Sequence, residues 1–173
     1  MQSGVWNNGL RVRDADGKLL PDPLETALLV QGRLLKEALD TVPASTPAIE
    51  LYSLTLAGDG KQSVFLREAD YVSNMLASRF GAYGQIRLVN HRDHLMNRPM
   101  ATRENLRRAA QTLAERSGPE DLVFIYLTSH GTSAHELVLD QPRLELADLP
   151  ADELATALAL SLIHISEPTR LLS

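Results

Sequence analysis

The sequence predicts an α/β domain, a mainly parallel sheet with helices on both faces, and three observations carry that expectation. The first is Leu122 to Leu127, six apolar residues without a polar break. Such a run is the pattern of a strand buried on both faces of a parallel sheet. The second is the alternation of strand-like and helix-like segments from Ile49 onward, which implies right-handed crossovers. The third is size: 173 residues, 44% of them hydrophobic, suit one globular domain with a sizeable core.

Taken in order, Val5 to Gly17 reads as a hairpin-like lead-in, with Asn8-Gly9 and Asp16-Gly17 as turn dipeptides. Pro21 and Pro23 are expected to break the chain. A helix follows over Glu25–Leu39, with Leu28, Leu35, Ala38 and Leu39 near helical spacing, and Pro43 to Pro47 reads as a linker. Residues 1–47 are therefore set apart from a core domain over 48–160. Ile49 to Leu56 alternates as a strand and runs into a loop, Ala57 to Ser63. A helix is expected over Arg67–Phe80, with Ala69, Val72, Leu76 and Phe80 inward, then a short strand over Ile86–Val89.

The next helix has the fullest set of signals. Thr102 caps it, Leu106, Ala110, Leu113 and Ala114 form its stripe, and Ser117-Gly118-Pro119 stops it. Glu104 and Arg108 can pair four residues apart. After the strand at Leu122–Leu127 come a short extended piece, Glu136–Leu139, and a last helix opening near Asp148–Pro150. A further strand is expected after that helix. Residues 161–173 instead resemble translated sequencing-adapter read-through, so they are expected to be non-native, and the domain to be incomplete in its C-terminal half.

Composition excludes several functions. The formal net charge is −5, and Glu104 and Glu115 sit among Arg98, Arg103, Arg107 and Arg108, so no basic face for nucleic acid is expected. No stretch of about 18 apolar residues offers a membrane span, and Met1 to Gly4 lacks the basic start of a signal peptide. A cytoplasmic location is the default expectation. The cysteine count is zero, which removes disulfides, thiolate metal sites and a cysteine nucleophile from this chain.

Ligands of open α/β sheets bind beyond the carboxyl ends of the strands, which draws attention to Thr128-Ser129-His130-Gly131. His130 can act as a general base if a nucleophile is within reach, and Gly131 offers an unhindered N–H. A histidine bonded there for structural reasons explains the His-Gly pair better, when it is read alone. Ser129 is a poor nucleophile for His130, because neighbours on an extended chain point to opposite sides and no Gly-x-Ser-x-Gly elbow surrounds it. His91 and His94, with His135 or Asp93, have a spacing too unspecific for a metal site, and no metal or cofactor is expected. Gly58-Asp-Gly-Lys61 lacks the order of a phosphate-binding loop and reads as a turn, which sets Asp59 and Lys61 on the carboxyl side of the sheet.

Several spaced motifs resemble bacterial members of the legumain (asparaginyl endopeptidase) family of cysteine peptidases. They are Leu54-Thr-Leu-Ala-Gly-Asp-Gly60, Phe65-Leu-Arg-Glu-Ala-Asp70, Leu88-Val-Asn90, Ala101-Thr-Arg-Glu-Asn-Leu106 and Phe124-Ile-Tyr-Leu-Thr-Ser-His-Gly131. The resemblance runs from about Leu34 to Leu158. It implies a caspase-like three-layer fold and cleavage of peptide or protein substrates by a histidine–cysteine dyad. His130 would be the catalytic histidine, and Gly131 the oxyanion-hole glycine. Arg67, one position off the family pattern, and Asp59 would lie in the substrate-binding region. The family's nucleophilic cysteine ends the strand after the last helix, and this chain has no such strand. The chain as given is therefore expected to be inactive. The alternative is a non-catalytic domain that binds peptides or a partner through the same cleft.

Overall fold

The computed structural model describes residues 14–19 and 22–161. Of the lead-in, only the Asp16-Gly17 turn falls within them. Asp14 Oδ1 accepts from the N–H groups of Asp16 and Lys18, and Gly17 takes the left-handed conformation that favours glycine. Asn8-Gly9 and all of the adapter-like tail except Ser161, which ends the last helix, lie outside the described residues.

Helix α1 spans Pro23–Asp40. Pro23 does not break the chain, as expected from sequence, but opens this helix: proline is favoured in the first turn, whose N–H groups have no helical partner. Asp22 Oδ1 accepts from Leu24 N–H at 2.8 Å and caps it. The buried stripe is Ala27, Gln31 and Leu35, not one through Leu28, which is exposed. Gln31 faces inward because its amide is fully engaged with the backbone of Leu95, Arg98 and Met100. Residues placed by sequence in the lead-in thus contribute Leu35 and Val42 to the main core.

The sheet has three parallel strands in the order β2-β1-β3: β1 Leu51–Ala57, β2 Gly84–Val89 and β3 Leu122–Thr128. Helices cover both faces. Tyr52, Leu54 and Leu56 point to one face, where they pack with Leu106 and Leu113 of α3 (Arg103–Arg116) and Leu35 of α1. Ala57 points to the other and packs with Leu66 and Ala69 of α2, Ser63–Phe80. The second face is more polar: Ser53, Thr55 and Ser73 are buried there, and Gln85 Nε2 bridges Ser53 Oγ and Ser73 O. Helix α3 is capped as expected, Thr102 Oγ1 accepting from Asn105 N–H at 3.1 Å, and Glu104 pairs with both Arg107 and Arg108.

Helix α2 starts four residues before the expected Arg67, and its inner face is Leu66, Ala69, Ser73 and Leu76, while Phe80 is exposed in the last turn. The short strands β4 (Glu136–Leu137) and β5 (Leu149–Pro150) pair antiparallel, so Leu149 and Pro150 precede the last helix, α4 (Ala151–Ser161). Helix α4 lies on the α3 side, where Arg103 pairs with Glu153 at 2.8 Å.

Strand β3 corrects the expectation of burial on both faces. Leu122 is 62% and Phe124 41% exposed, because β3 is an edge of the described sheet, paired with β1 on one side only. Its apolar run is a strand of interior composition at a rim.

Candidate active site

The carboxyl ends of β1, β2 and β3 form one edge, and three polar devices hold the loops leaving it. Asn90, buried after β2, donates from Nδ2 to Gly58 O and Ala101 O and accepts from Ala101 N–H. It fixes the β1 loop against the start of α3. The segment 138–141 then crosses both loops. Val138 N–H donates to His130 O, Asp140 N–H to Gly58 O, and Gly60 N–H to Asp140 O. Gln141, also buried, clamps the backbone of His91 through both amide atoms. Gly58 allows this close packing: a Cβ there would collide with Val138 O and lie 2.8 Å from Ser129 Oγ.

Parallel register and the two-residue alternation of strands decide what meets at this edge. Ala57 lies opposite Thr128, so two residues further on Asp59 comes beside His130, both toward the α2 face. Asp59 Oδ2 faces His130 Nδ1 at 2.8 Å. A carboxylate only accepts, so in the neutral ring Nδ1 carries the hydrogen and Nε2 the lone pair. Nε2 has no partner among the described residues, and the side chain is 48% exposed while that of Asp59 is 9% exposed. The other oxygen of Asp59 accepts from Lys61 N–H at 2.9 Å, closing the turn read from Gly58 to Lys61. Lys61 pairs with Asp140 at 2.8 Å, and that bond holds its ammonium more basic than usual.

Phe65, from the first turns of α2, meets the imidazole edge to face, with centroids 4.9 Å apart at 80°. Three residues further along, Glu68 accepts from Thr128 Oγ1 at 2.6 Å. Neither contact was expected from the sequence, although Phe65 lies in one of the family-like motifs.

Gly131 sits opposite Leu137 in an antiparallel bridge flanked by the bonds Val138 N–H to His130 O and Thr132 N–H to Glu136 O. In this kind of pair the central residue's own N–H points outward, and that of Gly131 meets no acceptor among the described residues. A Cβ at Gly131 would approach nothing nearer than Glu136 O at 3.9 Å, so no atom crowds its Cα on that side.

The remaining sequence candidates are not brought to this point. Ser129 faces away, its Oγ donating to Val138 O at 2.6 Å. Arg67 is exposed and makes no ion pair among the described residues. Helical spacing sets it with Ser63 and Asp70, whose partners His91 and Arg98 lie in the loop after β2, while Phe65 meets His130 and Glu68 meets Thr128. His91 is buried with both ring nitrogens engaged: Nδ1 accepts from Asp93 N–H at 3.2 Å, and Nε2 meets Ser63 Oγ at 2.9 Å. Burial also pushes its imidazole pKa down. His94 bonds Asn97, and among the described residues no three His, Asp or Glu side chains group as a metal requires.

What the edge offers is an imidazole with one nitrogen bonded and the other without a partner among the described residues, next in sequence to a glycine whose N–H points outward. Those are the parts of a base and an oxyanion donor, within a chain that holds no cysteine. No curated protein and no solved structure matches the chain. The family model of the Peptidase C13 family matches two overlapping stretches, residues 51–112 and 103–166, which take in β1 and β3 and the segments just after them that bear Asp59 and His130. These stretches cover more than half of the sequence, and the chain belongs to the Peptidase C13 family, the legumain family of cysteine peptidases.

Proposed function

We propose that this chain carries the histidine half of a legumain-type cysteine endopeptidase site, with His130 as acid and base and Gly131 as oxyanion donor. The observation that supports it most is a half-exposed imidazole held at Nδ1 by a buried carboxylate, with Nε2 free of any partner among the described residues. Asp59 then orients His130 instead of binding substrate, because both of its oxygens are already engaged. Arg67 remains available for a substrate contact at the rim of α2.

A thiol with an ordinary pKa near 8.5 is mostly protonated at neutral pH, and an imidazole at hydrogen-bond distance takes its proton. The thiolate sulfur bonds to the peptide carbonyl carbon, and the carbonyl oxygen becomes an oxyanion facing the N–H of Gly131. Collapse breaks the C–N bond as His130 Nε2–H gives its proton to the leaving amine. Nε2 then takes a proton from water, which cleaves the thioester and regenerates the thiol.

The thiol has to come from outside the 173 residues, and the strand order supports one point of entry. The β2–α3–β3 crossover passes over the α3 face toward β3, and α4 lies on that face. A right-handed crossover through α4 therefore lays a following parallel strand on the free edge of β3, beside exposed Leu122 and Phe124. That strand's carboxyl end would lie next to His130.

The cysteine-free chain should leave asparaginyl peptides uncut and should not react with thiol-directed probes; cleavage by a pure sample would refute this reading. Coding DNA read past the codon for Leu158 should continue into an apolar strand ending in Ala-Cys. The polypeptide so encoded should cleave such peptides and lose that activity on His130→Ala. The missing cysteine also favours a second reading, a non-catalytic domain that binds peptides or a partner in the same cleft. A verified stop after Ser173, with peptide binding by the 173-residue chain, would select it.

A further inference from the structure

The geometry points to Phe65 as a positioning residue for His130: its ring fixes the rotation of the imidazole and keeps water from the Asp59–His130 bond. The inference rests on His130 being the base of the proposed site. Three observations carry it. The edge-to-face contact has a centroid distance of 4.9 Å and an interplanar angle of 80°, within the range in which aromatic pairs attract beyond simple burial. Phe65 is anchored from behind, packing against the cluster Ala57, Leu66, Ala69 and Val89 beneath α2. The imidazole, in contrast, is half exposed and is tied by a side-chain bond at only one nitrogen.

That single bond does not fix the ring by itself. The terminal torsion of histidine is broad, and a hydrogen bond whose imidazole end is half exposed is open to competition from water on that side. A hydrophobic ring in T-shaped contact with the imidazole removes the competing rotation and lowers the local dielectric around the carboxylate, which strengthens the bond. The hydrogen then stays on Nδ1 and the lone pair on Nε2, the state a base needs. Asp59 thus sets the tautomer, and Phe65 makes that setting persist.

The test is the tautomer of His130, read by long-range ¹H–¹⁵N spectra of the ¹⁵N-labelled 173-residue chain at a pH where the ring is neutral. A bond to a carboxylate should favour Nδ1–H by about tenfold or more. In Phe65→Leu, which keeps an apolar side chain in the α2 cluster, the ratio should fall severalfold toward parity, and nuclear Overhauser contacts to the residue 65 ring are lost by construction. Phe65→Tyr, with the same ring, should keep the wild-type ratio. Asp59→Asn should change the ratio while the Phe65–His130 contacts persist, which separates the two roles. The backbone spectrum of each variant reports whether the fold is intact. A folded Phe65→Leu protein with an unchanged tautomer ratio would overturn the proposal. Because no cleavage is measured, that result would leave the peptidase reading standing, and failure of the peptidase reading would leave this measurement valid.

Discussion

His91 and His130 stand just beyond the ends of β2 and β3, on the same sheet edge, and do opposite things. His91 is 7% exposed, both its ring nitrogens have partners, and Gln141 clamps its backbone. His130 is bonded at one nitrogen and presents the other to solvent. Both satisfy the rule that ligands gather at the carboxyl ends of parallel strands. What separates them is the count of committed nitrogens. A histidine with two partners serves the fold, and one with a single buried carboxylate behind it is available for proton transfer.

The sharpest way to break this contrast is at the loop that both depend on. Gly58→Ala drives a Cβ into Val138 O and Ser129, and backbone atoms cannot swing aside as a side-chain end can. A loss of about 3 kcal/mol is expected in denaturant titration, together with loss of the Asp59–His130 register in the histidine spectra. A stability change below about 0.5 kcal/mol would mean that segment 138–141 does not hold the edge closed.

The two histidines themselves should then separate. His91→Ala removes a buried ring and leaves Ser63 and Asp93 N–H without their partner, a cost of about 2 kcal/mol. His130→Ala, at a half-exposed position, should cost less than about 1 kcal/mol. Equal costs, measured from matched unfolding curves, would erase the distinction drawn here.

A smaller effect sharpens the same comparison through pH. Burial holds the folded pKa of His91 below its ordinary 6.5. Between those two values the unfolded chain binds a proton that the folded chain refuses, so stability rises with pH there. Stability should therefore fall as pH drops below about 6.5, and levels off once the folded-state value is passed. His91→Gln should lack this component in thermal unfolding at a series of pH values. An unchanged profile would place its origin elsewhere.

Much of this architecture was legible in the sequence. The cap at Thr102, the stripe Leu106–Ala110–Leu113 and the alternation of β1 are local signals, and they give α3 and β1 within a residue or two. The misreadings occur where a polar residue turns inward or an apolar one turns outward. Gln31 is not among the residues of the expected helical stripe, yet it is buried because three backbone groups satisfy its amide. Gln62 gives α2 no side-chain cap, so nothing local marks the start at Ser63. Strand β3 has the composition of an interior strand, and composition cannot say which neighbours are present. At the site, His130 and Gly131 were visible as a motif. The partnership of Asp59 with His130 spans 71 residues and depends on the register of β1 against β3, which no single segment encodes. Phe65 was hidden for the same reason.

The measurement that tests the account most directly is the tautomeric state of both histidines in one ¹H–¹⁵N experiment on the wild-type chain. His130 should carry its hydrogen on Nδ1, donated to Asp59, with Nε2 free. His91 should show the reverse, Nε2–H toward Ser63 and Nδ1 accepting from Asp93 N–H. Opposite tautomers would support a base poised at His130 and a structural ring at His91. A His130 ring with its hydrogen on Nε2 would contradict the account, because the nitrogen left to meet a thiol would then have no lone pair to take its proton.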